Sequence, residues 1–495
     1  MGIQIILTCL SACLLALSFP PVHMYWIGCV ALVPYFYCCH YLWNTSSLKH
    51  IIIQHSIFGL IFMGFTNFFV FQLIEFSSFI EIFILFIVYT LFETLFIIGF
   101  GLSVRYLSTS SWMIPCFWLV FEYLRSIGPF GTPNGVIGYS QAFNPLLSPY
   151  ASLGGVFLVS FVLCCITMSI VCLIHVYLST KKVSSYLSIV MFMGLLFSIP
   201  LLIPIQTVPS DDSLSVSVIQ TQHSIAYKSQ AKNRPTVRQD LLRLSKQAIQ
   251  DQSPQLIVWP ETITSSFNLR KSAFMNELRI LSQEQKAAFI FGTPRYDSRR
   301  KIYNSAAFLH ESSLSFYDKI SLMPFGEYWP YKSWFKRFGL DNIIPGTEFT
   351  PGKKLSYFTL NQHKMGVAIC LETTQSAHFR QCRLDGCDLL ISLVNDAWFK
   401  KTSIRDRQLQ MLVFRALETG LPIIQSANFG ISGIIGSNGQ MLAKDSSFQE
   451  AIVSQTLVLD KTIPPYLAIG DLVVYLSIAI LFLCGLRKGK EYLIP

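Results

Sequence analysis

Charged residues are scarce in this chain, because Asp, Glu, Lys and Arg account for only 13% of its 495 residues. Soluble domains use about 25%, so the sequence is not that of an ordinary soluble protein. The few charges are also unevenly spread, since eight basic and six acidic residues lie outside 206–465. This distribution predicts a seven-helix transmembrane domain at 1–205, a soluble basic domain at 206–465, and a C-terminal transmembrane helix with a basic tail at 466–495.

The cysteine pattern of a disulfide framework or a zinc site is lacking. Ten of the thirteen cysteines lie in apolar segments, where Cys behaves as a small hydrophobe. The soluble block holds only Cys370, Cys382 and Cys387, an odd number without CxxC spacing. We therefore expect neither a zinc site nor a disulfide framework, and nothing else in the sequence suggests a metal ion or an organic cofactor. Cys382 and Cys387 could pair, but their helix-like spacing favours two free thiols.

Long apolar runs fill the rest of the chain. Seven runs of membrane-spanning length precede the soluble block and an eighth follows it. They lie near 3–19, 24–43, 51–73, 79–103, 110–125, 151–178, 184–204 and 467–486. If the N-terminus is cytoplasmic, seven of the eight basic residues outside the soluble block lie on the cytoplasmic side of the membrane. Arg125 alone lies on the other side. This bias predicts cytoplasmic termini and a soluble block outside the cytoplasm.

The block at 206–465 alternates short apolar runs with amphipathic ones, which is typical of an α/β domain. We expect strands at 214–219, 256–259, 288–292, 305–309, 366–370, 389–394, 423–427 and 431–435. We expect helices at 235–250, 271–285, 374–384 and 403–419.

Three residues of this block have side chains that suit one acyl-transfer site. Glu261 and Cys370 each end an apolar strand run, and Lys319 follows Tyr317-Asp318. Each alone has an ordinary explanation: a solvated carboxylate, a surface lysine or a buried small hydrophobe. Together, a thiol, a carboxylate and an ammonium are what covalent catalysis on a carbonyl needs. A helix start after Cys370 and a nearby ammonium predict a lowered pKa for its thiol.

A series of short motifs accompanies these residues in a fixed order. The motifs are Trp259-Pro260-Glu261, Tyr303-Asn304-Ser305, Tyr317-Asp318-Lys319, Pro324-Phe325-Gly326-Glu327-Tyr328, Cys370-Leu371-Glu372 and Asn395-Asp396-Ala397-Trp398-Phe399. The set resembles the nitrilase (carbon–nitrogen hydrolase) superfamily. Over nearly its full length the chain is similar to one membrane branch of it, the bacterial apolipoprotein N-acyltransferases.

The resemblance implies a polytopic α-helical membrane bundle followed by an α/β nitrilase-like α-β-β-α sandwich. It implies that Glu261 is the base, that Lys319 stabilises the oxyanion and that Cys370 is the nucleophile. Supporting roles fall to Asn304, Glu327, Leu371 and Glu372, of which Leu371 would offer its backbone N–H to the oxyanion.

The same resemblance implies a substrate pair and a location. A fatty acyl chain would pass from a phospholipid, through a cysteine thioester, to the N-terminal amine of an S-diacylglyceryl apolipoprotein. The enzyme would lie in the bacterial inner membrane, with the catalytic domain periplasmic and both termini cytoplasmic. No nucleic acid is expected as a partner.

The sequence departs from the family at two arginines near the site. The corresponding stretches read Gly420-Leu421-Pro422 and Gln425-Ser426-Ala427-Asn428. In addition, Ser229 follows Lys228 where an aromatic residue is usual. These departures concern substrate handling and leave the three central residues in place.

Aromatic residues beside Lys and Arg occur in two stretches, and this composition is typical of membrane interfaces. The residues that we expect to admit a lipid are Trp329, Trp334, Phe335, Trp398 and Phe399. The alternative is that these rings fill the core of the domain itself. Within the spans, Glu93 and Asn67 are either functional or hydrogen-bonded to neighbouring helices.

Two other functions remain open at the level of sequence. One is a membrane-tethered amidase or hydrolase that uses the same three residues with water as acceptor. The other is a transporter or scaffold that carries an inactive nitrilase-like domain. The three intact residues and the scarcity of charges in the spans favour acyl transfer over the second.

Overall fold

The structure is a computed structural model of the chain and describes residues 2–45, 47–179, 183–202, 207–264, 272–337, 348–399 and 402–493. The chain divides into two compact units. The first comprises 1–205, 402–410 and 464–495, and the second comprises 206–401 and 411–463.

The helices, in chain order, are α1 (Gly2–Leu17), α2 (Tyr25–Ala31), α3 (Val33–Thr45), α4 (Leu48–Asn67), α5 (Phe79–Leu107), α6 (Ile114–Ser126), α7 (Tyr150–Ser179), α8 (Val183–Leu202), α9 (Ile225–Ser229), α10 (Arg234–Gln252), α11 (Ala273–Gln285), α12 (Lys332–Arg337), α13 (Ser376–Leu384), α14 (Ile404–Thr419), α15 (Tyr466–Ile469) and α16 (Leu472–Leu493). The strands are β1 (Thr207–Val208), β2 (Ser213–Gln220), β3 (Leu256–Val258), β4 (Ala288–Tyr296), β5 (Ile302–His310), β6 (Ser313–Asp318), β7 (Phe358–Leu360), β8 (His363–Ile369), β9 (Leu389–Asn395), β10 (Ile423–Asn428), β11 (Ser432–Ile435), β12 (Met441–Asp445), β13 (Ala451–Val458) and β14 (Lys461–Thr462).

The first unit is helical and apolar. Among the described residues, Leu48–Glu75, Phe79–Leu107 and Tyr150–Ser179 are long and apolar enough to cross a membrane, so the chain is membrane-associated. The predicted span at 24–43 is split into α2 and α3. Pro34 lies at the start of α3, and its missing N–H and bulky ring explain the break. The full set of eight spans and its orientation stay predictions.

Glu93, which lies within α5, has polar partners. Its carboxylate accepts hydrogen bonds from Asn67 Nδ2 at 2.5 Å and from Arg125 Nη1 at 2.8 Å. Arg125 also donates to the carbonyl oxygens of Thr132 and Asn134 at 3.3 and 2.6 Å. The structure thus favours the hydrogen-bonding explanation of this buried carboxylate, with Arg125 fixing the Gly- and Pro-containing segment that follows α6.

The second unit contains two six-stranded sheets. Their strand orders are β13-β2-β3-β4-β5-β6 and β12-β11-β10-β9-β8-β7. In each sheet the three central strands run parallel, as β2-β3-β4 and β8-β9-β10, and the outer pairs are antiparallel.

Apolar side chains from both sheets pack together into one core that includes Val216, Val258, Val367 and Ile391. Helices α10 and α11 cover the first sheet through a second core. Helix α13 packs on β8, where His378 Nε2 lies 2.9 Å from the Val367 carbonyl oxygen. The α/β prediction is therefore confirmed, with helices outside two facing sheets.

Each of the eight strands predicted from sequence is present. The sequence missed β6, β12 and β13, which include polar and partly exposed side chains, and also the short strands β1, β7 and β14. Helix α13 begins at Ser376 rather than at 374, because residues 370–374 form a 3₁₀ turn first.

The two sheets are joined by a polar contact close to the ends of their central strands. The Ser426 hydroxyl, on β10, lies 3.0 Å from the carbonyl oxygen of Ile219 and 3.2 Å from that of Val258. Thr221 also forms a parallel bridge with Asn428. The carboxyl ends of β2, β3 and β10 therefore meet at one place, which is where the polar residues gather.

Candidate active site

Glu261 lies just beyond β3, on a backbone that neighbouring β4 holds in place. Gly292 N donates to the Pro260 carbonyl at 3.0 Å, and Ile263 N donates to the Gly292 carbonyl at 3.1 Å. A Cβ at Gly292 would lie 2.4 Å from Glu261 Cα, so only glycine fits there. The Glu261 side chain is buried and accepts a hydrogen bond from Asn304 Nδ2 at 2.8 Å.

Lys319 follows β6 and is 1% exposed. Its N–H donates to the Asn304 carbonyl at 2.8 Å, which ties it to β5. Its Nζ lies 2.7 Å from Glu327 Oε2 and 3.9 Å from Glu261 Oε1. Asn304 Nδ2 also donates to Glu327 Oε1 at 2.7 Å, so one amide and one ammonium hold both carboxylates.

Glu327 is brought into the site by the tight turn around it. Its N–H donates to the Met323 carbonyl at 2.9 Å, and Met323 N donates back to Glu327 Oε2 at 2.7 Å. Phe325 N donates to the Tyr328 carbonyl at 2.8 Å and closes the turn. The motif that the sequence indicated is thus a loop that places a carboxylate against Lys319.

Cys370 begins the 3₁₀ turn after β8 and has a φ of +51°. This left-handed conformation is uncommon for a residue other than glycine and is typical of strained functional positions. The Thr373 hydroxyl donates to the Cys370 carbonyl at 2.7 Å and stabilises the turn. Cys370 as a whole residue is half-buried, although its thiol lies in a buried environment.

Glu372 is fully buried and links the segment after Lys319 to the end of β8. Its Oε1 accepts from the Tyr317 hydroxyl at 2.8 Å and from the Ile320 and Ser321 N–H groups at 2.7 and 3.1 Å. Its Oε2 accepts from Ile369 N at 2.9 Å. The carboxylate therefore positions Lys319 and Cys370 relative to each other.

The electrostatics of the thiol differ from the sequence prediction. Burial raises the pKa of Cys370, the carboxylates of Glu261, Glu327 and Asp396 raise it further, and Lys319 opposes them. The predicted lowering is therefore wrong: the short turn and one ammonium do not outweigh burial and three carboxylates. At rest the Cys370 side chain is therefore a neutral thiol, and an attack by its sulfur would require a base to remove the proton.

Two charged groups beside Cys370, Glu261 and Lys319, have pKa values that suit proton transfer. Burial raises the pKa of Glu261, against the effect of Lys319. Burial would lower the pKa of Lys319, but Cys370, Glu327 and Glu261 together hold it above its ordinary value. Lys319 therefore stays charged, and Glu261 is a carboxylate with an increased affinity for a proton.

A set of amides beside Glu261 was not identified from sequence as a unit. Asn395 and Asn428 are partners in the register of β9 and β10. Asn428 Nδ2 donates to Asn395 Oδ1 at 2.8 Å, and Asn395 Nδ2 donates to the Thr262 hydroxyl at 3.3 Å. The signal available in the sequence was that both asparagines end apolar strands.

The positions that lack the family arginines are occupied by buried side chains with local partners. Leu421 is buried. Gln425 Nε2 donates to the Ile431 carbonyl at 2.7 Å, and Gln425 Oε1 accepts from the Ser392 hydroxyl at 3.2 Å. The Gln425 side chain thus joins β10 to β9 and to the residue that precedes β11.

The five residues expected to admit a lipid are described to different extents. Trp398 is 40% exposed, while Phe399 and Trp329 are partly buried. The Trp329 ring packs edge-on against the exposed Phe325 at 5.0 Å. Trp334 and Phe335 belong to α12, but their side chains lie outside the described residues.

One cluster among the described residues has metal-ligand chemistry. Atoms of His223, Asp240 and Glu450 lie within 4.8 Å of one another. Arg243, however, lies 3.4 Å from Asp240 and 2.6 Å from Glu450, so both carboxylates already have a cation. The cluster fits an ion-pair network better than a metal site.

The arrangement of Glu261, Lys319 and Cys370 suits covalent catalysis on an acyl group. A protonated thiol, a carboxylate with raised pKa and a charged lysine meet at the carboxyl ends of strands, and Asn304 and Glu327 orient them. Their roles in the reaction stay a prediction.

Comparison with known proteins agrees with this geometry. Residues 11–169 match the family described as apolipoprotein N-acyltransferase N-terminal domain, and residues 215–464 match the carbon-nitrogen hydrolase family. An apolipoprotein N-acyltransferase of Geobacter metallireducens is 26% identical over 74% of this chain and 71% of its own length. Apolipoprotein N-acyltransferase 1 of Treponema denticola is 25% identical over 99% of this chain and 97% of its own length.

Among solved structures, a carbon-nitrogen hydrolase from Helicobacter pylori G27 is similar to this chain. The identity is 18% and the TM-score is 0.40, over 50% of this chain and 89% of that protein. The two family matches together extend over both the helical part and the α/β part. The chain therefore belongs to the carbon-nitrogen hydrolase family, in its apolipoprotein N-acyltransferase branch.

Proposed function

We propose that this protein transfers a fatty acyl chain from a phospholipid to the N-terminal amine of a diacylglyceryl-cysteine lipoprotein, through a thioester on Cys370. Family membership supports lipoprotein N-acylation in general. The observation that carries the proposal is the grouping of Lys319 with Glu261 and Glu327, within hydrogen-bond or ion-pair distance, where their charges act on the Cys370 thiol.

The first half-reaction forms the thioester. Glu261 takes the proton of the Cys370 thiol while the sulfur attacks the ester carbonyl carbon of the donor. Lys319, with the backbone N–H of Leu371, stabilises the negative charge that develops on the carbonyl oxygen. The ester C–O bond breaks, the leaving alcohol oxygen takes the proton from Glu261, and a lysophospholipid departs.

The second half-reaction uses the same groups in the opposite direction. The acceptor amine attacks the thioester carbon and gives a proton to Glu261, which now acts as base. The C–S bond breaks, the sulfur recovers the proton from Glu261, and the amide is released. No external oxidant or reductant is needed, because both steps are acyl exchanges.

The surroundings of the site fit a lipid donor. Exposed or partly buried rings at Trp329, Trp398 and Phe399 have the composition of a membrane interface. We propose that these residues, with Trp334 and Phe335, admit the acyl chain. We also propose that the helical part spans the bacterial inner membrane, with 206–465 periplasmic, because nearly all the Lys and Arg outside that block lie on one side.

The test is intact-mass spectrometry of the purified protein mixed with phospholipid and no amine. We expect a fatty-acyl mass gain that hydroxylamine removes and that Cys370→Ala abolishes. Cys13→Ala, at an exposed cysteine of α1, is the matched control and should retain the gain. A lipoprotein acceptor should then discharge the thioester.

Two results would contradict the proposal. Release of free fatty acid from an unmodified Cys370, without an amine, would identify a hydrolase. No donor turnover across a range of phospholipids would favour an inactive domain in a transporter or scaffold.

A further inference from the structure

A second lysine, Lys228 on α9, is buried in the α/β unit. It is 5% exposed, and its Nζ has no hydrogen-bond partner among the residues that the structure describes. A buried ammonium without a partner is energetically costly. Burial lowers its pKa to about 8, which still leaves most Lys228 side chains charged at neutral pH. Such a costly charge calls for an explanation in terms of function.

The segment that leads into α9 is tied to the residue that follows Glu261. Asn428 Oδ1 accepts from His223 N at 3.1 Å, and Asn428 Nδ2 donates to the His223 carbonyl at 2.9 Å. Through Asn395, the same amide reaches the Thr262 hydroxyl. The carboxylate whose charge acts on Lys228 is that of Glu261.

Lys228 adds a second cation to a group in which two carboxylates share one ammonium. Glu261 and Glu327 share the single ammonium of Lys319, which lies closer to Glu327. Glu261 is thus left 3.9 Å from the shared cation, with one amide hydrogen bond. The other titratable groups near these residues are Cys370 and Asp396 on one side, and His223 beside Lys228.

We infer that Lys228 is a positioning residue for acyl transfer, which supplies the counter-charge that keeps Glu261 ionised and able to take the Cys370 thiol proton. One proton moves, from Cys370 Sγ to a Glu261 carboxylate oxygen, and Lys228 keeps its own. This role rests on the proposed function of the site. The alternative, an anionic group of the substrate bound by Lys228, is an outcome of the test below.

The first measurement needs neither lipid nor acceptor. The rate at which iodoacetamide alkylates Cys370 is followed by mass spectrometry as a function of pH in the full-length protein. In the native protein the alkylation rate should fall at low pH as Glu261 becomes protonated, and we call this part of the profile the acidic limb. It should be absent in Glu261→Gln. In Lys228→Met we expect that limb to move up by about one pH unit, since the loss of a nearby positive charge raises a carboxyl pKa by that order.

Two further variants separate charge from packing. Lys228→Arg keeps a cation and should restore the native limb at least in part. Lys232→Met removes an exposed cation four residues further along, and it should leave the profile unchanged. The melting temperature of each variant is measured alongside, so that a moved limb in a folded protein is distinguished from a loss of packing.

Several results would overturn the inference. One is a native acidic limb in Lys228→Met, whatever its stability. Another is a raised KM for phospholipid with an unmoved limb, which would assign Lys228 to an anionic group of the donor. A different result would contradict the proposed function alone. In it, the limb moves in Lys228→Met as expected, but the native protein transfers no acyl group to an amine.

Discussion

Lys319 Nζ lies 2.7 Å from Glu327 Oε2, closer than its 3.9 Å distance from Glu261 Oε1. The ammonium therefore has its shortest contact with a loop carboxylate, and this leaves Glu261 less tightly paired, as the proton transfer proposed for it requires. This asymmetry gives the two carboxylates different roles although they share one amide, that of Asn304.

The first prediction concerns Glu327. Replacing it by Gln should lower kcat for acyl transfer by about 10- to 100-fold, because Lys319 loses the partner that positions it. The same change removes one of the carboxylates that raise the pKa of Cys370, so alkylation of the thiol should become faster. Steady-state kinetics and iodoacetamide alkylation measure the two effects. Glu277→Gln, at an exposed ion pair with Lys246, is the control. If both rates fell together, the positioning role would be wrong.

The second prediction concerns the buried carboxylate of Glu372. In Glu372→Gln one of the two carboxylate oxygens, each of which accepts a hydrogen bond, is replaced by an NH₂ group. This group is itself a donor and would lie against other hydrogen-bond donors. We expect a loss of about 1–3 kcal/mol of stability, since a buried donor is left unsatisfied. Tyr317→Phe removes only one of the four hydrogen bonds and should cost about 1 kcal/mol. Equal melting temperatures for the native protein and both variants would show that Glu372 does not hold these segments together.

Much of the site could be predicted from single stretches of sequence. Glu261 and Cys370 each follow an apolar run, and such runs predict buried strands whose carboxyl ends carry functional groups. The pairing of Asn395 with Asn428 could not be predicted, because it depends on the register of two strands far apart in the chain. The burial of Lys228 could not be predicted either, because it depends on how the short helix α9 packs in the folded unit. Likewise, the raised pKa of Cys370 arises from carboxylates that only the tertiary fold assembles.

A third prediction is the pH dependence of Glu261. Because burial raises its pKa in the folded state, kcat/KM should fall with decreasing pH at values above the ordinary 4.5 of a glutamate. The same sign applies to stability: the folded state binds this proton more tightly, so the stabilising contribution is present at low pH and is lost as pH rises through the folded pKa. Glu261→Gln should therefore abolish transfer and raise the melting temperature at neutral pH. This gain should vanish near pH 4, and a variant less stable than the native protein at neutral pH would contradict the assignment.

A fourth prediction concerns the buried pair of Arg125 and Glu93. Arg125→Leu leaves the Glu93 carboxylate buried without its cation, which should cost about 3–5 kcal/mol. Adding Glu93→Gln removes the uncompensated charge and should recover part of that loss. Thermal unfolding of both variants in detergent measures the difference. A double variant that is less stable than Arg125→Leu would mean that the carboxylate stabilises this region independently of the arginine.

The last prediction joins the fold to the chemistry at Gly292. In Gly292→Ala the new Cβ would lie 2.4 Å from Glu261 Cα and 2.5 Å from Thr262 N, and both are backbone atoms that cannot rotate away. Strand β3 must therefore shift, and Glu261 with it, so kcat/KM should fall by up to about 100-fold. Gly194→Ala, where no atom lies within 4 Å of the added carbon, should leave both activity and stability unchanged. Cys370 stands on the other sheet, so its alkylation at high pH should persist in Gly292→Ala while the acidic limb governed by Glu261 changes. Native kinetics in this variant would mean that β3 and β4 can separate without displacing the base.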